Sequence, residues 1–86
     1  MAKALRQEAL TLEQAIGKVL RGLRTQRGLR QIDVSVTTNF AVTTIRKMEG
    51  GKQSVTIRSL DALAMFYQLP VETIIVRAKR LRKLSL

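Results

Sequence analysis

Between Gln31 and Gly51 the chain reads QIDVSVTTNFAVTTIRKMEGG, and the polar side chains it offers are hydroxyls, amides and charged groups. Val42, Thr43, Arg46 and Lys47 are spaced to share one side of a helix, opposite Ala41, Ile45 and Met48 at i, i+4 and i+7. Methyl groups, a hydroxyl and two long cationic donors form a surface that binds and breaks no bond. Cysteine and histidine are absent from all 86 residues, which excludes disulfides, thiol chemistry, soft-metal sites and imidazole acid–base catalysis. The six acidic residues stand singly and no Gly-rich phosphate loop occurs, so no catalytic site assembles. The expectation is a binding protein, with no enzyme activity, no cofactor and no small-molecule site.

A formal net charge of +10 points to a polyanionic partner. Its distribution is uneven: residues 1–30 carry +5, residues 31–70 only +1, and residues 71–86 +4. Any attraction to phosphate therefore comes from the two flanks, while the Gln31–Gly51 region is almost neutral. The start, MAKALRQEALTLEQ, interleaves charges at Lys3, Arg6, Glu8 and Glu13, with no apolar run long enough for a signal peptide or a membrane span. We expect a cytoplasmic protein with no membrane partner.

The elements that must position those side chains are helical. Thr11 and Gln14 have capping-box spacing, and Leu12, Ile16, Val19, Leu20 and Leu23 then hold one face of a helix that stops at Gly28, with Leu29 as its apolar seal. Gly17 and Gly22 weaken that helix by about 1 kcal/mol each relative to alanine, which suggests close packing at one or both. Residues 1–10 either extend the helix backwards, since Leu5 and Ala9 keep its phase, or form an arm. In the next segment Val34 and Ser35 face inward and Ser35 is small enough for two helices to cross. IDVSVTT alternates like a strand, but it would have no partner and an isolated strand is unstable in water, so a helix is expected. Asn39 suits a left-handed turn and Phe40 an apolar plug. Thr56 caps a segment in which Ile57, Leu60, Leu63, Ala64 and Tyr67 share a face, and Gln68 takes its stop position. Pro70 suits the first turn of a last helix striped by Val71, Ile74, Ile75, Ala78 and Leu81.

Two short helices joined by a tight turn, with this spacing, resemble the helix-turn-helix of the Cro and phage-repressor (Xre-type) family, and the resemblance runs without a gap from about Ile16 to Ile75. It implies an all-α, five-helix, lambda-repressor-like DNA-binding domain with the motif at helices 2 and 3. Residues 11–76 form the domain, 1–10 an arm or helix extension, and 77–86 a basic tail or helix extension. Departures include Ser35 for alanine, Asn39 for glycine, Phe40 for a smaller aliphatic, and Arg30 and Ala41 where Ser or Thr caps are usual. Two weak caps destabilise the helix starts by about 1 kcal/mol each.

The resemblance also implies site roles. Val42, Thr43, Arg46 and Lys47 become the base-contacting face of a recognition helix in the major groove. Gln31, Arg30, Asn39, Thr44, Lys52 and Arg58 become phosphate contacts, with Arg21 and Arg27 as further candidates. Arg24 and Glu49 become an ion pair that ties the first helix to the end of the recognition helix. The apolar surface of Val71, Ile75, Val76 and Ala78 exceeds what a short helix needs and fits a symmetric dimer contact. The leading reading is a homodimeric repressor on a palindromic, double-stranded operator. An antitoxin with a toxin partner and a structural RNA-binding protein remain alternatives. The run RAKRLRK at 77–83 is a solvated fraying end, a phosphate grip or a membrane-surface or partner helix.

Overall fold

The computed structural model describes residues 10–84, which form five helices and no strand: α1 Leu12–Gln26, α2 Gln31–Thr38, α3 Val42–Glu49, α4 Ile57–Tyr67 and α5 Val71–Leu84. Helix α1 starts from the expected capping box, in which Gln14 N–H donates to Thr11 Oγ1 at 3.1 Å and Thr11 N–H to Gln14 Oε1 at 2.9 Å. Thr11 itself is extended (ψ 165°), so α1 does not continue backwards through it. The remainder of the arm expected at 1–10 lies outside the described residues. At the other end Gly28 is left-handed (φ 67°), with Gly28 N–H on Thr25 O and Leu29 N–H on Arg24 O. That is the paired bonding of a Schellman cap, and it brings Leu29 back onto the core.

Ile32–Val36 lies within α2, and Asn39 (φ 66°) makes the left-handed turn that ends it. Thr56 caps α4 by accepting from Ser59 N–H at 3.0 Å, and Gln68 (φ 59°) closes it. Helix α5 runs unbroken to Leu84, so the basic run at 77–83 is helix rather than a fraying end. No single described helix is long and apolar enough to cross a membrane, and α4 and α5, bent by 103°, bury Leu60, Leu63, Ala64, Tyr67, Ile74 and Ala78 in the core.

Four orientations differ from expectation. Ala41 is the exposed N-cap of α3 and contributes nothing to its inner face. Ile57, in the first turn of α4, is 77% exposed, because the core begins one turn later at Leu60. Leu12 likewise stays partly outside, 36% exposed, while Ala15 one turn on is fully buried. Ser35 is only half-buried, and its hydroxyl donates to Phe40 O at 2.6 Å across the turn.

Helix α1 is central. It packs most extensively on α5 and then on the end of α3. Arg82 Nε on Leu10 O at one end and Arg27 Nη2 on Tyr67 O at the other show that α1 and α5 run antiparallel. Arg27 also donates to Leu23 O and lies 5.2 Å from the Tyr67 ring centroid, so this phosphate candidate is instead a staple between the ends of α1 and α4. Burial, then the Glu49 carboxylate, push the Tyr67 hydroxyl up to about 12.

Of the two interior glycines in α1, only Gly17 is required by packing. A Cβ there would meet Met48 O and Glu49 O at 2.4 and 2.6 Å, whereas one at Gly22 would meet nothing within 4 Å. Gly22→Ala is therefore expected to stabilise the chain by about 0.5–1 kcal/mol through helix propensity. Gly17→Ala should instead destabilise it by about 1–3 kcal/mol through overpacking, both read from urea denaturation. Tyr67 is the single tyrosine. Its raised value contributes stability fully below about pH 10 that is lost as pH climbs through about 12. Phenolate absorbance should accordingly titrate near 12 in the folded chain and near 10 in denaturant.

Candidate nucleic-acid interface

Helix α3 is held by its back and presents its front. Ile45, Met48 and Glu49 are buried, while Thr43, Arg46 and Lys47 are exposed and Val42 and Thr44 are half-buried flanks. Among the described residues nothing covers Thr43 or Lys47. The α2–α3 turn is bonded internally: Asn39 N–H donates to Ser35 O and Thr38 Oγ1 to Val34 O, while Phe40 packs on the core.

The two weak caps resolve differently. A guanidinium cannot accept a hydrogen bond, so Arg30 does not cap α2 forwards. Instead Asp33 reaches back: its Oδ2 accepts the Arg30 N–H at 2.7 Å and its two oxygens engage the Arg30 guanidinium at 2.9 and 3.2 Å. Those bonds, the side-chain pair first and the backbone N–H second, hold the Asp33 carboxyl below its ordinary value. At α3 no side chain replaces the missing acceptor, so Ala41 leaves an uncapped start at the exposed end of the motif.

Arg24 and Glu49 pair as expected and more tightly than a surface pair, their side chains 12% and 5% exposed. Arg24 Nε and Nη2 donate to the two Glu49 oxygens at 2.8 and 3.0 Å, and Arg24 Nη1 to Leu29 O at 2.9 Å. The hydrogen bond to Glu49 is the main reason the guanidinium is raised above its ordinary value. Gln31 Nε2 joins the same carboxylate at 3.2 Å. The glutamine expected at a phosphate thus has one amide donor turned inward, tying the start of α2 to the end of α3.

Arg30 and Asn39 are exposed at the two ends of α2, Lys52 follows α3, and Arg58 lies in the first turn of α4. Arg21, Arg30, Gln31 and Arg46 line one open concavity beside the Arg24–Glu49 pair. Arg21, one of the two further phosphate candidates, comes beside Arg46, 25 positions later, only through the α1–α3 crossing. The proposed dimer residues do not share one surface. Val76 is 51% exposed, Val71 and Ile75 pack against the core, and Ala78 is fully buried and offers no contact outside the chain.

Five helices with a tight turn between α2 and α3 and an exposed second motif helix define a helix-turn-helix domain. A family model described as a helix-turn-helix domain matches residues 2–74, and the chain belongs to that family. Among solved structures it is similar to the clp gene regulator ClgR from C. glutamicum, with a TM-score of 0.76 over 81% of this chain and 91% of that one. At 18% identity this is a likeness of fold. No curated protein matches the chain.

Glu49→Ala, which leaves Arg24 beneath the surface without its anion, is expected to destabilise the chain by about 3 kcal/mol in urea denaturation. Replacing both partners, Arg24→Met with Glu49→Leu, should recover most of that loss, because the desolvation penalty goes with the charges.

Proposed function

We propose that the chain is a sequence-specific, double-stranded DNA-binding transcription regulator, a repressor that occludes a palindromic operator as a homodimer. The observation that carries this reading is the split of α3. One side is buried and ion-paired to α1 through Glu49, and the other keeps Thr43, Arg46 and Lys47 in solvent. An α-helix about 10–12 Å across fits a major groove about 12 Å wide, and a fixed helix presents the same side chains to every base step it meets. Within the face Val42, Thr43, Arg46 and Lys47, the hydroxyl and ammonium at its centre suit base edges and the Val42 methyls suit thymine. Arg30, Asn39, Thr44, Lys52 and Arg58, around its rim, serve the backbone.

Membership of the helix-turn-helix family supports the reading, as does the +10 charge. ClgR, whose fold this chain shares, is a gene regulator, and the same role is proposed for this chain on the strength of its own exposed α3 face. The homodimer would use the outer side of α5 around Val76 and would set two α3 helices about one DNA turn, ~34 Å, apart.

Selection from a random duplex library at two salt concentrations tests this. A palindromic consensus is expected for the wild-type chain. Thr43→Ala should relax preference at one position per half-site while barely altering the dependence of affinity on salt. An unchanged consensus in Thr43→Ala, or structured RNA displacing duplex DNA, would count against the proposal.

A further inference from the structure

We infer that Arg46 serves a backbone phosphate of the duplex rather than a base edge, seated in the open concavity that it lines with Arg21, Arg30 and Gln31. The inference rests on the DNA-binding reading and changes the role of one residue within it.

The helical phase of α3 sets the direction. At about 100° per residue, each step of three residues turns a side chain back by about 60°. Arg46 therefore stands between outward-facing Thr43 and inward-facing Glu49, on the flank of the helix beside α1 and the start of α2. Lys47 lies about 100° from Arg46, on the far side of Thr43. A helix that nearly fills the groove's width, aimed along Thr43 and Lys47, meets bases with those two residues and the groove's sugar–phosphate wall with its flank.

The charges in the concavity suit a phosphate there. Arg24 and Glu49 also line it but neutralise each other. The Arg30 guanidinium is engaged by Asp33 yet stays 78% exposed. Arg21 and Arg46 have no carboxylate partner among the described residues, so two uncompensated guanidinium groups from α1 and α3 border one hollow. Gln31 forms its wall, with one amide donor fixed on Glu49. Planar guanidinium donors match phosphate oxygens in geometry as well as charge, and two of them flanking one hollow make a seat for a single phosphodiester.

The test uses the full chain and the duplex selected above, with a scrambled duplex beside it. Arg46→Ala and Arg21→Ala are each expected to weaken both duplexes by the same factor, to reduce the slope of log affinity against log salt by about 0.9, and to leave the selected consensus unchanged. Ethylating the one phosphate per half-site that lies in the seat should impair wild-type binding but add little to the loss in Arg46→Ala. Both residues are exposed, and unchanged thermal unfolding would show the variants folded. A shifted preference at one base position in Arg46→Ala, or scrambled-duplex affinity and salt slope both unaffected, overturns the inference. A wild-type chain that binds duplexes without preference overturns the regulator reading instead, and the slope measured for Arg46→Ala then still decides the seat.

Discussion

Glu49 lies at the end of α3, and its carboxylate collects three donors from two other helices: two from Arg24 on α1 and one from Gln31 at the start of α2. Arg24 completes the set by donating to Leu29 O, in the turn that leads from α1 to α2. A charge buried to this degree is tolerated only with its partner and its remaining hydrogen-bonding capacity satisfied. Here satisfaction requires α1, α2 and α3 to meet at one point. The pair is thus less a source of net stability than a constraint on geometry, and what it constrains is the direction in which Thr43 and Lys47 face.

The close approach at Gly17 belongs to the same constraint. The last carbonyls of α3, on Met48 and Glu49, occupy the space a side chain would need on α1, so backbone lies on backbone beside the ion pair. The remainder of the core is aliphatic apart from Tyr67 and Met48; it holds α5 against the same central helix and α4 against α5 and α2. A small domain with modest burial gains most from fixing one helix well, and this chain concentrates its close contact and its buried charges on α3.

Two kinds of cation stand out in this strongly basic chain. Arg24 and Arg27 are structural, the first paired with Glu49 and the second bonded to the carbonyls of Leu23 and Tyr67. Arg21, Arg46, Lys47, Lys52 and Arg58 are exposed, and Arg21 and Arg46 line one hollow. Formal charge alone treats the two groups alike, because it does not distinguish a guanidinium donating to carbonyls within the chain from one bordering an open hollow.

Periodicity and cap chemistry made most of the architecture legible. The Thr11–Gln14 box, the Gly28–Leu29 seal, the left-handed Asn39 and the Thr56 cap are interactions within a few residues, so the sequence carries them complete. The inner and outer sides of α3 followed from spacing, and the Arg24–Glu49 pair from family resemblance. Other features depend on where helices cross. Spacing placed Ile57 and Ala41 inward because helical phase does not register where a neighbouring helix ends. Gly17 and Gly22 look equivalent in the chain, yet only one lies under α3. The inward bond of Gln31, the staple made by Arg27 and the grouping of Arg21 with Arg46 likewise join residues distant in sequence. Local hydrogen bonding and apolar period determined the helices and their faces; the tertiary structure alone decided which polar side chains were taken up inside and which were left to meet a partner, since that depends on the crossing of α1 with α3.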